Sequence, residues 1–465
     1  MSGHHQPAGV SAHRLAAIHK KALRLAQARR ERVGAPPHGV THPRRGIAVR
    51  FQHLRRAGLG AMTCFLGVLG PGLLAGLSDD DPAGITTYSV LGTEYGYRLL
   101  WIIPLSTLLL IQFHLIAVRI GAATGKGFVA ALRHRYGHAW GYVAAAGLLL
   151  TNFGTICAEY AGISAAGSLI GLPSWISAPL AGVLISLLVV LGSFHRIERI
   201  LLVISATLAL YIVDGILAAP DWQAVWVNSL VPNWPVNAGA WVAVAATLGT
   251  TLAPWGLAFI QSYAVDKKIA IANLRWERVD VVIGSLLTGV IGLAIAVACA
   301  GTLNRAGVHI EDAADAAAAL RPLAGSFATL LFGVGLLGAS LLAAAIVPIA
   351  TAYSIAEGLG APASLDLDSR HFQLFYAAFI GLTVAAVGVV SIPKLPLIPL
   401  IYASQVVNAV LLPLHVIALH LLARDPVLMG TARSSGTAIA LEWLGIIVIV
   451  VCVVALAGSW LSSPA

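Results

Sequence analysis

Long apolar stretches separated by short polar ones make up the chain from residue 60 onward, whereas the first 57 residues are polar and basic. A helix needs about 20 apolar residues to cross the hydrocarbon core of a bilayer. The pattern therefore predicts eleven membrane-spanning helices, called spans one to eleven below. The predicted ranges are 62–93, 98–118, 138–169, 175–192, 199–218, 239–265, 279–302, 324–356, 373–391, 397–422 and 437–459.

The composition is typical of an integral membrane protein. Of the 465 residues, 58% are hydrophobic and only 11% are charged, whereas a soluble domain carries about a quarter charged residues. The net charge of +9 comes from the N-terminal tail and from short loops, a distribution that indicates membrane topology and no nucleic-acid partner. The four cysteines are scattered through apolar stretches, so neither a disulfide framework nor a zinc site is expected.

Positive charges alternate between the two sides of the membrane when the N-terminus is placed in the cytosol. Cytosolic loops of membrane proteins carry an excess of Lys and Arg. This predicts a multi-pass protein of the cell inner (plasma) membrane, with a cytosolic tail over 1–57 and a transmembrane domain over 58–465. The only basic residues in the predicted outer loops are Arg98, Arg305, Arg321 and Lys394.

Span one is interrupted by three consecutive acids, Asp79, Asp80 and Asp81, which are followed by Pro82 and Gly84. Charged side chains in a bilayer are costly and are tolerated mainly where they face a polar cavity or an ion. Backbone that leaves the helix at this depth is tolerated only beside such a cavity. A helix broken at these acids, near 79–84, therefore predicts a site for a cation.

Span six carries a second interruption, Leu248-Gly-Thr-Thr-Leu-Ala-Pro-Trp-Gly256, which predicts a break near 250–256. Broken helices at corresponding places in two halves indicate a transporter built from inverted repeats. Spans one to five and six to ten would form the repeats, over about 62–218 and 239–422, with 437–459 as an extra helix. The predicted fold is an all-α polytopic membrane protein.

Several separate motifs resemble those of the NRAMP family of divalent-metal transporters, and the resemblance extends over residues 60–425. It implies a leucine-transporter-type fold, about eleven transmembrane helices in a 5+5 inverted repeat with spans one and six broken, and a divalent metal ion as substrate. The matching motifs are Gly70-Pro71, Asp81-Pro82-Ala83-Gly84, Glu94-Tyr95-Gly96-Tyr97-Arg98-Leu99-Leu100-Trp101, Ala158-Glu159-Tyr160-Ala161-Gly162, Ser404-Gln405-Val406-Val407 and Leu412-Pro413.

The resemblance also implies a set of metal ligands. It assigns the carboxylate of Asp81, the backbone carbonyls of Ser78 and Thr250, and Gln405 as a further oxygen ligand. Asp79 and Asp80 lie outside the family motif, and they either hold the water shell of the ion or pair with neighbouring polar groups. Two candidate positions depart from the family: Gly84 stands where the family has Asn, and Ala253 stands where it has Met.

These departures change the expected ion. A thioether favours late transition metals, so its replacement by Ala253 leaves only oxygen ligands, which suit Mg²⁺, Ca²⁺ and Mn²⁺. Mg²⁺ keeps several of its waters, and Gly84 makes room for them. The pattern resembles the NRAMP-related magnesium transporters and predicts transport of Mg²⁺, Mn²⁺ or both, with no cofactor and no obligate protein partner.

The residues of the family's proton route are only partly matched in this chain. Of the residues that form the family's proton route, Glu159 is present, but Trp255 replaces a His and Ile156 replaces a second acid. Glu159 either titrates or is hydrogen-bonded within the bundle. Our hypothesis is inward transport that is not coupled to protons.

Three alternatives remain beside this hypothesis. They are a proton-coupled Mn²⁺/Fe²⁺ transporter, a sodium-coupled small-solute carrier of the same fold, and a channel or membrane metal sensor. An enzyme is not favoured, because the spans contain no nucleophile–base pair and no His-rich metal motif. Glu357 and Glu442 lie near predicted inner ends of spans, where we expect exposed acids with no special role.

Overall fold

The computed structural model describes residues 81–190, 210–235, 237–269, 271, 274–311, 313–319, 325–361 and 373–462, and within these ranges it contains helices and no β-strand. The predicted tail, 1–57, and the first part of span one lie outside the described residues. In chain order the helices are α1 (Pro82–Tyr95), α2 (Ile102–Thr124), α3 (Phe128–Tyr136), α4 (His138–Ser168), α5 (Ser174–Val190), α6 (Leu210–Leu217), α7 (Trp222–Leu230), α8 (Ala238–Thr251), α9 (Pro254–Asp266), α10 (Leu274–Cys299, continued by a π-helical turn over Ala300–Asn304), α11 (Ala313–Ala318), α12 (Ala328–Leu359), α13 (Gln373–Val390), α14 (Leu397–Arg424), α15 (Pro426–Met429) and α16 (Gly436–Ser462).

The predicted spans reappear as helices wherever they are described. Within those residues, seven stretches are long and apolar enough to cross a membrane, and two shorter apolar helices, Ser174–Val190 and Leu374–Val390, match spans four and nine. Spans one and five are described only from Asp81 and Leu210 onward, and helix follows at both places. The seven stretches are Ile102–Thr124, His138–Ser168, Ala238–Asp266, Glu277–Asn304, Ala328–Leu359, Leu397–Arg424 and Gly436–Ser459.

The predicted break in span six is confirmed. Helix α8 ends at Thr251 and α9 begins at Pro254. Between them Leu252 has φ −107° and ψ 46°, and Ala253 has φ −54° and ψ 129°, so neither residue is helical. Proline is accepted at the first position of a helix, where its missing N–H costs no hydrogen bond within that helix.

The described half of span one begins as predicted. Asp81 is extended, with φ −76° and ψ 178°, and α1 starts at Pro82. Ser78, Asp79 and Asp80 precede this point and lie outside the described residues, so their predicted roles stay predictions.

Close packing through small residues brings the two breaks toward α4 and α14. A methyl group at Gly162 of α4 would overlap the ring of Pro82. At Gly249 of α8 it would overlap the Gln405 carbonyl oxygen and would lie 2.7 Å from the amide nitrogen of Ala409. Glycine at these two positions therefore lets α1 contact α4 and lets α8 contact α14.

Among the described residues, four short helices between spans, α3, α7, α11 and α15, are absent from the sequence-based prediction. They are too short to stand out as membrane-spanning stretches, and side-chain carboxylates hold the first turns of α3 and α7. The Asp221 Oδ1 atom accepts hydrogen bonds from the amides of Gln223 and Ala224, at 3.0 and 3.1 Å, at the start of α7. The cap of α7 is local in sequence, whereas that of α3 comes from Glu357 on α12, and each stabilises a first helical turn.

The expectation that Glu357 and Glu442 are exposed acids without a special role is wrong. Glu357 Oε2 accepts hydrogen bonds from the amides of Val129 and Ala130, both at 3.1 Å, and Oε1 accepts one from Ser262 Oγ at 2.8 Å. Glu357 thus fixes the start of α3 and ties α9 to α12. Glu442 is 2% exposed and is bound by side chains of other elements.

Candidate metal site

Asp81 lies at the N-terminal end of α1 and is almost completely buried. Its Oδ1 atom accepts a hydrogen bond of 2.7 Å from the amide of Gly84, as a helix-capping side chain does. The N-terminus of a helix also stabilises a negative charge through its dipole. The carboxylate is therefore held in one place by its own helix, and Gly84, a predicted site residue, is one of the groups that hold it.

The break between α8 and α9 supplies a backbone oxygen. In an unbroken helix the carbonyl of Thr250 would accept a hydrogen bond from the N–H of residue 254, but that residue is Pro254 and has no N–H. Thr250 and Ala253 are both buried. The same spacing of four residues separates Ser78 from Pro82 in the sequence, so proline gives a physical reason for both predicted carbonyl ligands.

The end of α8 is tied to α1 and α2 by hydroxyl groups. Thr251 Oγ1 donates to the carbonyl of Thr247 at 2.8 Å and lies 2.9 Å from the hydroxyl of Tyr88. Ser106 Oγ donates to the same Thr251 atom at 3.1 Å. These bonds fix the last turn of α8, where the backbone leaves the helix.

Glu159 on α4 is the second buried acid of this region. It is fully buried, its carboxyl group interacts with that of Asp81, and neither of its oxygens has a hydrogen-bond partner among the described residues. Two buried carboxyl groups side by side repel each other when both are charged. The pair therefore needs a proton or a cation between its members.

Gln405 on α14 is buried and forms part of a polar group that sequence reasoning did not find. Asn408 Nδ2 donates to Gln405 Oε1 at 3.0 Å and to Thr155 Oγ1 at 3.1 Å, joining α14 to α4. The available signal was an Asn one turn after Gln405 in an apolar span, together with Thr155 one turn before Glu159.

Among the described residues there is no cluster of three or more His, Cys, Asp or Glu side chains that would hold a metal ion. Asp81 and Glu159 are therefore the acids that this part of the chain offers, and the other groups are backbone carbonyls, carboxamides and hydroxyls. Trp255, in the first turn of α9, is buried, and its indole N–H has no partner among the described residues. An indole N–H donates a hydrogen bond but is not a metal ligand.

A family model matches most of the chain. The model for natural resistance-associated macrophage protein-like proteins covers residues 72–459. The divalent metal cation transporter MntH of Ralstonia nicotianae is 29% identical over 413 residues, which is 84% of this chain and 89% of that protein. MntH of Yersinia pestis is 28% identical over 288 residues, which is 59% of this chain and 69% of that protein.

Solved structures share the fold. The manganese transporter of Eremococcus coleocola superposes with a TM-score of 0.67 at 22% identity, covering 88% of this chain and 90% of that chain. Mhp1, a transporter of the nucleobase-cation-symport-1 family, gives a TM-score of 0.52 at 13% identity over 84% of this chain and 92% of that chain. The predicted fold class, an all-α polytopic membrane protein of the leucine-transporter type, is confirmed.

Proposed function

Since the chain belongs to the natural resistance-associated macrophage protein-like family, we propose that it carries Mg²⁺, with Mn²⁺ as a second substrate, inward across the cell inner (plasma) membrane. Transport of a divalent metal ion is the function that the family and the MntH relatives support. The choice of ion, the direction and the absence of proton coupling are the finer parts of this proposal.

The observation that carries the choice of ion is the chemistry of the two breaks. Asp81 provides carboxylate oxygen at the first break, and the freed carbonyl of Thr250 provides oxygen at the second. Ala253 is buried at the second break and has only a methyl group to offer. Oxygen ligands without sulfur favour Mg²⁺, Ca²⁺ and Mn²⁺ over late transition metals.

Transport without protons is supported by the residues beside the breaks. Trp255 has no basic nitrogen with which to relay a proton, and the buried Ile156 on α4 has no titratable group. A negative-inside membrane potential alone favours entry of a divalent cation by about 4.6 kcal/mol per 100 mV, twice the value for a single charge. Such a potential suffices to accumulate the ion without a proton partner.

One observation favours the alternative of proton-coupled Mn²⁺ transport. Asp81 and Glu159 are buried side by side, and a proton on one of them would relieve their repulsion when no ion is bound. Release of that proton on metal binding would couple proton movement to metal transport.

The excess of Lys and Arg in the predicted inner loops supports the cytosolic placement of the N-terminus under either proposal.

Uptake into proteoliposomes that contain a pH dye tests both proposals. We expect wild-type protein to transport Mg²⁺ and Mn²⁺ without metal-dependent acidification, and to prefer neither Cd²⁺ nor another late metal over Mg²⁺. Asp81→Ala should abolish uptake of every divalent ion. Asp221→Ala is the matched control, because Asp221 also caps a helix but lies on α7, outside the candidate site.

Three results would contradict the proposal. Strong preference for Cd²⁺ over Mg²⁺ would contradict the argument from oxygen ligands. Acidification that depends on the metal would support the proton-coupled alternative. Substantial uptake by Asp81→Ala would remove the candidate site altogether.

A further inference from the structure

A polar seam, formed by Thr155 and Glu159 on α4 and by Gln405 and Asn408 on α14, extends one helical turn beyond the candidate site. Thr155 lies four residues before Glu159, so both side chains are on the same face of α4. All four residues are buried, with at most 1% of each exposed. The seam is therefore a buried polar surface that begins beside the acid pair Asp81–Glu159.

A chain of hydrogen bonds fixes the direction of each carboxamide in the seam. Ser404 Oγ donates to the carbonyl of Ile401 at 2.7 Å, so its oxygen accepts from Gln405 Nε2, also at 2.7 Å. Gln405 Oε1 then faces Asn408 and accepts from its Nδ2 at 3.0 Å. Because Gln405 presents its oxygen, Asn408 must turn its Nδ2 atom toward Gln405. The orientation of the Asn408 carboxamide is therefore fixed.

That arrangement leaves acceptors without donors. Asn408 Nδ2 uses its two hydrogens on Gln405 and Thr155, while Asn408 Oδ1 is buried with no partner among the described residues. The two oxygens of Glu159 also have no donor among the described residues, since their neighbour is the carboxyl group of Asp81, which donates only when it carries a proton. Buried acceptors without donors are rare in folded proteins and need an explanation, such as a water or an ion.

We propose that Asn408 Oδ1 and the Glu159 carboxylate accept hydrogen bonds from water molecules that the transported ion keeps, which makes Asn408 a specificity-determining residue. A water bound to a cation through its oxygen turns both hydrogens outward and is a donor to its surroundings. Mg²⁺ gives up its waters reluctantly, so a ring of outer acceptors favours Mg²⁺ over ions that shed water readily. This inference rests on the proposed function, transport of a divalent ion through the candidate site.

Uptake kinetics of Asn408→Leu test the inference. Leucine has nearly the shape of asparagine and accepts no hydrogen bond, so we expect the KM for Mg²⁺ to rise about tenfold, the effect of about 1.4 kcal/mol, and the KM for Mn²⁺ to rise clearly less. Asn408→Asp keeps an acceptor at the same place and should restore the preference for Mg²⁺. Asn408→Ala carries the same test if the leucine variant does not fold.

Asn152→Leu is the matched control. Asn152 is also a buried carboxamide on α4, but both of its ends have a polar neighbour. Nδ2 donates to Thr351 Oγ1 at 2.9 Å, and Oδ1 lies 3.2 Å from Thr151 Oγ1, whose single hydrogen also faces the carbonyls of Gly147 and Leu148. We expect this variant to lose thermal stability and to keep the wild-type ratio of the Mg²⁺ and Mn²⁺ KM values.

The proposed function is tested with the wild-type protein, and this inference is tested with the variants. Absence of Mg²⁺ uptake by the wild-type protein would overturn the proposed function and this inference with it. Equal changes of both KM values in Asn408→Leu, or the same change of their ratio in Asn152→Leu, would overturn this inference alone, since Asn408 would then serve only packing.

Discussion

Two pairs of acids among the described residues differ in what their oxygens contact. Glu357 accepts hydrogen bonds from two backbone amides and a serine. Glu442 accepts from Ser434 Oγ at 2.5 Å and lies 2.7 Å from His420 Nδ1. Asp81 has one cap hydrogen bond from its own helix, and Glu159 has none among the described residues.

The difference separates acids that hold the fold from acids that are available to a ligand. A buried charge is stabilised only when it is paired and hydrogen-bonded. Glu442 meets that condition, because it is hydrogen-bonded and lies 3.5 Å from the guanidinium of Arg119. Glu357 has no charged partner in the described part of the chain but accepts three hydrogen bonds from other helices. Among the described residues Asp81 and Glu159 lack such partners, so they are free to take up a proton, a water or a cation.

The largest expected effect that tests this comparison is a loss of stability. Glu357→Ala leaves two buried amides and a serine without their acceptor, and we expect the free energy of unfolding to fall by about 1–3 kcal/mol, the cost of an unsatisfied buried group. Glu159→Ala leaves no protein donor unpaired and should change stability less. Thermal unfolding of both variants in detergent, followed by tryptophan fluorescence, measures the difference. Equal losses of stability would contradict the distinction.

A change of ligand at the second break sharpens the comparison. Ala253→Met places a soft thioether at the second break, where the proposed ligands are all oxygens, and we expect Cd²⁺ to inhibit Mg²⁺ uptake at about tenfold lower concentration, or about 1.4 kcal/mol. Ala253→Leu is the control, because it adds similar bulk without sulfur. If both variants respond to Cd²⁺ alike, the effect is one of size and the ligand argument fails.

The smallest expected effect concerns Glu94, an exposed acid. Water can replace a hydrogen-bond partner that an exposed acid loses. The hydrogen bond to Glu94, 2.7 Å from His309 Nδ1, raises the pKa of His309 above its ordinary value. The ion pair is therefore complete below the ordinary histidine pKa of about 6.5 and is lost as the pH rises through the raised pKa.

Glu94→Gln tests this contact directly. We expect the variant to return the pKa of His309 toward the ordinary value, as followed by NMR of labelled histidine in nanodiscs, and to leave Mg²⁺ uptake unchanged. A large loss of uptake would mean that the exposed pair has a role that its solvent exposure does not suggest.

The sequence predicted the membrane spans and the break in span six. Long apolar stretches indicated the spans. Pro254 indicated the break between α8 and α9, because proline lacks a backbone N–H whatever its surroundings in the fold. The short helix α3 was missed, since the carboxylate that holds its first turn comes from Glu357, more than two hundred residues away in the chain.

The candidate site could be predicted only in part for the same reason. Asp81 was found because acids are conspicuous in a membrane span, and Glu159 was found through the resemblance of its motif to the family. Asn408 was missed because a single Asn in an apolar helix has many ordinary roles. What distinguishes it from Asn152 is an unpaired oxygen, and pairing depends on neighbours that only the folded chain brings together.

Pro254 leaves the Thr250 carbonyl, a proposed ligand, without its helical N–H, and substitution at 250 cannot remove that oxygen. Every amino acid placed at 250 carries the same carbonyl, so substitution there leaves the oxygen in place. The vulnerable position is four residues downstream, where any residue other than proline would bring back an N–H able to claim that oxygen. Laboratory evolution toward a different cargo should therefore recruit changes at 253 and 254 well before it finds any at 250.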